Sequence, residues 1–273
     1  MNKYKSIICG DNVSVLKGVP DHFIDLIVTS PPYDNLRRYK GFVFDFENVA
    51  KQLTRVLKTG GVIVWVVGDA TIKGSETGTS FKQALYFMSI GLNLHDTMIY
   101  QKSGMAFPDS NRYHNIFEYM FVFSKNKPRT TNIIKDRQNK WVGKSGGNHR
   151  GGLCKRGEYG ARFNVWRYPN GRDNTSKDRM AFEHPAVFPE SLARDHIISW
   201  SNENDLVLDP FCGSGTTLKM AKLLKRNFIG IDCSEEYCQL SRRRVDEAES
   251  IKPIRKQGQS VSHPDNEQLS LLS

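Results

Sequence analysis

Two stretches of this 273-residue chain bring together residue types that folding alone has little reason to assemble. The first is Thr29-Ser30-Pro31-Pro32-Tyr33, at the end of the apolar run Ile24-Asp25-Leu26-Ile27-Val28. Two consecutive prolines stiffen a turn and remove backbone donors, so the Pro31 carbonyl and the Ser30 hydroxyl can face outward as acceptors beside the ring of Tyr33. Such a corner is a socket for a planar group bearing an amine. The second is Asp209-Pro210-Phe211-Cys212-Gly213-Ser214-Gly215-Thr216-Thr217, which follows Leu206-Val207-Leu208. Its two glycines permit positive φ in a strand-to-helix turn and let a ligand lie against the backbone. No lysine follows Gly215 directly, so the turn is not a phosphate loop. Asp232 closes the run Ile229-Gly230-Ile231, where a strand-end carboxylate either meets ribose hydroxyls or caps the following helix.

The elements that must position these loops are legible from apolar spacing and breakers. Strands are expected at Ser6 to Cys9, Ile24 to Thr29, Val62 to Val67 (after the stop signal Lys58-Thr59-Gly60-Gly61), Leu94 to Tyr100, Phe117 to Phe123, Leu206 to Leu208 and Phe228 to Ile231. Helices are expected at Phe46 to Leu57, Thr79 to Ile90 with Ser80 as cap, Pro189 to Trp200, Thr216 to Leu224, and Ser234 to about Glu249. This alternation predicts an α/β fold with a doubly wound, mostly parallel sheet, and such sheets bind ligands at the carboxyl ends of their strands. Both marked loops leave strands at that end.

Composition bounds the function classes. A 38% hydrophobic share and mean hydropathy of -0.50 describe an ordinary soluble chain, and no apolar run approaches the roughly 18 residues of a membrane span. The start Met1-Asn2-Lys3-Tyr4-Lys5 lacks the apolar core of a signal peptide, so a cytoplasmic protein is expected. Five cysteines without a Cys-x-x-Cys pair argue against a disulfide framework or zinc knuckle; His149 and Cys154 lack partners at ligand spacing, and no metal is expected. The net charge of +10 is localised: 15 Lys and Arg against 4 Asp and Glu lie between Lys125 and Met180, leaving 24 against 25 elsewhere. Trp141, Tyr159, Phe163, Trp166 and Tyr168 are interleaved with this charge, a pattern that points to a nucleic-acid partner rather than a solvated loop.

With both loops in view, the chain resembles the S-adenosylmethionine-dependent DNA amino-methyltransferases, specifically the permuted group in which the catalytic half precedes the cofactor half. The resemblance runs from about Ile7 to Val245. Ser30-Pro31-Pro32-Tyr33 matches the catalytic signature and Asp209 to Thr217 the cofactor loop. His184-Pro185-Ala186-Val187-Phe188-Pro189-Glu190 matches the segment bordering the methionine moiety, and Gly10-Asp11 the acidic strand end beside the adenine. The resemblance therefore implies S-adenosylmethionine as cofactor, held by Asp11, His184, Phe188, Glu190, the loop residues Asp209, Pro210, Phe211, Cys212, Gly213, Ser214, Gly215, Thr216 and Thr217, and Asp232. It divides the chain into a catalytic half (1–128), a target-recognition insertion (129–180) and a cofactor half (181–250), with the first strand beside the one ending at Asp232; the polar, aperiodic tail (251–273) is expected to be mobile. DNA is the implied partner, met through Lys135, Arg137, Lys140 and Lys144; a monomer and a homodimer are both compatible.

An exocyclic amine is a poor nucleophile because its lone pair is delocalised into the ring. Ser30 Oγ and the Pro31 carbonyl would accept its hydrogens and free that lone pair, while Tyr33 stacks on a base flipped from the helix. The chain has no Pro-Cys pair of the kind used by ring-carbon cytosine methyltransferases. In the family, Ser at the first signature position goes mainly with the N4 amine of cytosine and Asp with the N6 amine of adenine, so cytosine-N4 methylation in a restriction-modification setting is expected, with adenine-N6 as the alternative. Methylation of RNA or of a protein glutamine, or a DNA-binding specificity protein without catalysis, are the competing readings. Asp69 is either an amine-orienting group or a loop cap, His114 and Glu118 are polar residues near the base or plain surface contacts, and Arg242-Arg243-Arg244 reads as a solvated helix face.

Overall fold

The computed structural model describes residues 5–32, 44–104, 111–143, 145–147, 153–169, 175–176, 178–183 and 188–248. Eight strands form one sheet: β1 (Lys5–Cys9), β2 (Ile24–Thr29), β3 (Leu57–Val67), β4 (Asn93–Lys102), β5 (Phe117–Ser124), β6 (Val165–Tyr168), β7 (Leu206–Asp209) and β8 (Asn227–Asp232). Their spatial order is β1-β8-β7-β2-β3-β5-β4-β6, and only β5 runs against its neighbours. Helices α1 (Asn12–Lys17), α2 (Phe46–Val56), α3 (Thr79–Ser89), α4 (Glu190–Trp200), α5 (Thr216–Leu223) and α6 (Glu235–Glu247) flank it. The expected doubly wound sheet is thus present, and β1 pairs with β8 as expected, Cys9 opposite Asp232.

Side-chain alternation builds two cores. Val62, Val64 and Val66 of β3 join Leu26, Val28, Val207 and the buried faces of α4 and α5 on one side of the sheet. Ile63, Trp65 and Val67 join Ile27, Leu208 and the α2 residues Val49, Leu53 and Val56 on the other. α2 starts where Asp45 accepts from the Asn48 amide at 3.2 Å, and its stripe of Val49, Ala50, Leu53 and Val56 is buried. All six residues of β2 are buried, including Asp25, whose carboxylate receives Lys58 (2.8 Å), Arg129 (2.5 Å) and the Leu206 amide (3.0 Å). Arg129, at the start of the basic stretch, is therefore spent on the sheet.

Three local expectations are corrected. Lys58-Thr59-Gly60-Gly61 does not precede β3 but lies inside it: the pairing moves from Ile24 opposite Leu57 to Leu26 opposite Val62, and the extra residues bulge out with Gly60 at φ 78°. Ser80 is not the cap of α3; the cap position is Gly78, and Asp69 receives the Ser80 amide at 2.9 Å and its hydroxyl at 2.5 Å. Trp166 and Tyr168 are not part of an exposed aromatic surface. They alternate with the exposed Val165 and Arg167 along β6, which extends the main sheet beside β4, and both are buried in the core.

Candidate active site

The two marked loops leave adjacent parallel strands. Val207 lies opposite Leu26 and Leu208 opposite Ile27, so β2 and β7 deliver Ser30 and Pro210 side by side at the carboxyl rim. Two hydrogen bonds tie the loops together: Thr29 Oγ1 donates to Asp209 Oδ1 at 2.7 Å, and Thr217 Oγ1 donates to the Val28 carbonyl at 3.2 Å. Pro31 is buried, while Ser30 and Pro32 are half-buried. Tyr33 lies outside the described residues, as do His184 and Lys144 and all of 251–273.

Asp209 is buried behind the loop rather than in front of it. Besides Thr29 it accepts from the Phe211 amide at 3.1 Å, and burial pushes its carboxyl up to about 6 despite these bonds. Pro210, Cys212, Ser214, Thr216 and Thr217 are buried as well, and burial pushes the Cys212 thiol well up. Phe211 is half-buried, with its ring edge-on to Phe44 at 5.3 Å. What this turn offers a ligand is therefore mainly backbone. The two glycines are needed for that shape: Gly213 sits at φ 47° and Gly215 at φ 78°, and a Cβ on Gly215 would come within 2.1 Å of Ser241 Oγ.

Both carboxylate oxygens of Asp232 receive backbone amides. Its Oδ1 accepts the Ser234 amide at 2.9 Å, just before α6, and its Oδ2 accepts the Gly213 amide at 2.9 Å, which fixes the turn to β8. Asp11 is exposed at the end of β1 and caps α1 through the Ser14 amide at 2.8 Å. Along the rim the strand ends present Asp11, Asp232, the glycine turn and Ser30 in that order. Three inter-strand steps of about 4.8 Å each span about 14 Å, room for an extended nucleoside with an amino-acid tail.

Phe188 is half-buried against the core under α4. Glu190 opens α4, and its Oε1 accepts from Ser176 Oγ (2.8 Å), Lys219 Nζ (2.8 Å) and Arg244 Nη2 (3.1 Å). Lys219 and Arg244 carried no signal in the sequence. Lys219 lies on α5 among apolar neighbours, and Arg244 sits in an arginine run that reads as solvated. That reading is corrected: Arg244 is 1% exposed, whereas Arg242 and Arg243 pair with Glu235 and Glu183 at the surface. Asp69, committed to α3, fits the capping reading. Glu118 pairs with Lys102 at 2.8 Å.

The basic stretch forms two small ladders, Arg137–Gln138 with Tyr159–Gly160 and Ser145–Gly147 with Leu153–Lys155. Lys135 and Lys140 are exposed; Arg137 is half-buried with its guanidinium 4.7 Å from the Phe163 ring centre. Trp141, Tyr159 and Phe163 are exposed. Arg162 anchors this surface, reaching Asp136 and Asp195, and Tyr168 also donates to Asp195 at 2.7 Å. Among the described residues one group has metal-ligand spacing: Cys9, Glu235 and Cys238 hold donor atoms within 4.8 Å of one another, with the Arg242 guanidinium on Glu235 at 2.8 Å.

Comparison with known proteins shows the family and the fold. The chain is 56% identical over 243 residues to the orphan methyltransferase M.BamHII of Bacillus amyloliquefaciens, covering 84% of this chain and 91% of that one. Its fold matches PvuII DNA methyltransferase (cytosine-N4-specific) with a TM-score of 0.68 at 21% identity, over 89% of this chain and 86% of the other. It matches the S-adenosyl-L-methionine complex of a Thermus thermophilus protein, described as a DNA modification methylase, with a TM-score of 0.62 at 22% identity, over 89% and 95%. The family model of the N6/N4 DNA methylases aligns with residues 24–243, and the chain belongs to that family.

Proposed function

We propose that this protein transfers a methyl group from S-adenosylmethionine to the N4 amine of cytosine in DNA, as a methyltransferase of the restriction-modification type. The observation that carries the reading is the adjacency of β2 and β7, which puts the Ser30-Pro31 corner next to the glycine turn with Thr29 bonded to Asp209. The rim fits the cofactor: a turn with two positive-φ glycines presents backbone, and partly exposed carboxylates stand at the ends of β8 and β1 for the adenosine end. Bound there, S-adenosylmethionine supplies an electrophilic methyl on a sulfonium.

The chain's own residues then have defined tasks. Ser30 Oγ and the Pro31 carbonyl accept the two amine hydrogens of the flipped base, which draws the nitrogen lone pair out of the ring. The ring of Tyr33 replaces the lost stack. Pro31 and Pro32 hold the corner rigid so that the amine is oriented rather than merely bound. No side chain is required as a nucleophile, in keeping with the buried, thiol-form Cys212.

Cytosine is favoured over adenine because the first signature residue is the neutral Ser30, able to donate as well as accept beside the ring nitrogen of cytosine. Lys135, Arg137, Lys140 and Lys144, with the exposed Trp141, Tyr159 and Phe163, are proposed as the DNA-facing surface. Enzymatic digestion of DNA treated with the protein and labelled S-adenosylmethionine, followed by nucleoside mass spectrometry, tests the target: N4-methyldeoxycytidine is expected, and label in N6-methyldeoxyadenosine would replace this reading by the alternative.

A further inference from the structure

A closed group of four charges lies beneath the glycine turn. Arg244, on α6, directs Nη1 to the Ser214 carbonyl and, at 3.2 Å, to Thr216 Oγ1; its Nε reaches Asp178 Oδ2 at 2.7 Å and its Nη2 reaches Glu190 Oε1 at 3.1 Å. Lys219, whose side chain is 3% exposed, bonds the same two carboxylates at 3.2 and 2.8 Å. Burial alone would push the Asp178 carboxyl up, but Arg244 and Lys219 outweigh it and hold it below the usual range. Two cations thus meet two anions with no net charge.

Buried ion networks of this kind seldom gain stability over apolar packing, because the attraction must first repay the loss of hydration. What this one does provide is geometry. The Ser214–Gly215 peptide is gripped at both ends: its carbonyl by Arg244, and its amide by the Cys212 carbonyl at 2.7 Å. Ser241, one helical turn before Arg244, closes the space where a Gly215 Cβ would project. The peptide plane between the two positive-φ glycines can therefore neither rotate nor retreat. The two carboxylates bring in chain from elsewhere: Asp178 lies near the end of the basic stretch, and Glu190 opens α4.

We infer that Arg244 is a positioning residue for cofactor binding, fixing the Ser214–Gly215 peptide, with Glu190 and Asp178 acting through Arg244 and Lys219 rather than on the cofactor. The inference rests on the cofactor assignment above and is independent of the target base. A lysine keeps the charge but, with one nitrogen in place of a planar fork, cannot hold Ser214, Asp178 and Glu190 together.

The test is calorimetric titration of S-adenosylmethionine into wild type, Arg244→Lys and the surface control Arg243→Ala, without DNA, alongside thermal melting and steady-state methylation. Arg244→Lys is expected to raise the S-adenosylmethionine Kd and KM at least tenfold, leaving the DNA KM within twofold and kcat at saturating cofactor within threefold; Arg243→Ala should match wild type. If Arg244→Lys fails to fold, the charge-balanced double variant Arg244→Met with Asp178→Asn carries the same measurement. Wild-type cofactor affinity in a folded variant with lowered Tm would overturn the inference, reducing Arg244 to a brace. Absence of binding by wild type itself would overturn the cofactor assignment and this inference together, so the two failures are distinguishable.

Discussion

The Thr29 hydroxyl donates to Asp209 across the β2/β7 junction at 2.7 Å, joining residues 180 positions apart in the chain. Thr29 immediately precedes the Ser30-Pro31 corner, and Asp209 opens the glycine turn. This buried hydrogen bond therefore helps to hold the Ser30-Pro31 corner against the glycine turn, together with the bond from Thr217 to the Val28 carbonyl.

Thr29→Val keeps the shape of the side chain and removes the donor. A buried acceptor left with one fewer partner costs about 1–3 kcal/mol, so urea unfolding should show a loss in that range. Turnover should fall further than cofactor affinity does, because both loops persist but one of the two hydrogen bonds that hold them together is lost. Equal losses in both would mean that the bond stabilises the fold without aligning the site.

Asp209 also gives a pH signature. Its folded-state carboxyl, pushed to about 6 from an ordinary 3.8, holds a proton more tightly than the unfolded chain does. Its contribution to stability is therefore full below about pH 4 and is lost as pH rises through about 6. His196 runs the other way. Burial takes its pKa to about 3, and its Nδ1 accepts from Trp200 at 3.3 Å in the neutral form, so its contribution is present above about pH 6.5 and lost as pH falls. The opposed slopes flatten the wild-type profile. In Asp209→Asn the opposing slope is gone, and the stability of the variant relative to wild type should rise by up to roughly 3 kcal/mol between pH 4 and 7, from two pKa units at about 1.4 kcal/mol each. Chemical unfolding of the ligand-free proteins across that range checks it; a difference that does not move with pH would contradict it.

The aromatic residues of the basic stretch separate into two kinds, and two substitutions tell them apart. Trp166, 6% exposed and with its ring centre 4.6 Å from that of the tilted His196 ring, should cost about 3–5 kcal/mol of stability as Trp166→Ala. Trp141, 53% exposed, should cost almost none as Trp141→Ala but should weaken DNA binding. Melting curves and a fluorescence binding assay on the same preparations give both readouts, and a DNA affinity unaffected by Trp141→Ala would remove that ring from the interface.

Salt dependence addresses the charges themselves. Lys135→Glu with Lys140→Glu, both exposed positions, should reduce the slope of log K against log salt by about 0.9 for each phosphate that is no longer neutralised. An unchanged slope would make this surface a solvated face.

Much of the sheet was legible in the sequence because its central strands β2 and β7 bury both faces and so read as unbroken apolar runs ending in loops with unusual residues. Even the pairing of β1 with β8 followed, through the permuted order of the motifs. The unread elements were those with little periodic signal. α1 has six residues and a single buried apolar side chain, Leu16. β6 alternates correctly, but its charged surroundings suggested an exposed strand-free segment. The four-charge group beneath the turn was invisible for a different reason. Burial of Arg244 and Lys219 depends on carboxylates contributed by Asp178 and Glu190, 66 and 29 positions away, a compensation that no local window contains. Ser30 and Gly213 to Thr217 announced themselves, whereas the bond from Thr29 to Asp209 and the burial of Arg244, which help to place them, did not.

The most direct test of the account is a crystal structure of the protein with S-adenosylmethionine and a DNA duplex carrying its target site. The account predicts the donor methyl lying over the Gly213–Gly215 turn, with a cytosine out of the helix, its N4 hydrogens on Ser30 Oγ and the Pro31 carbonyl, and the nitrogen about 3–3.5 Å from the methyl carbon. A cofactor seated away from that turn, or a base whose amine does not reach Ser30 and Pro31, would contradict it.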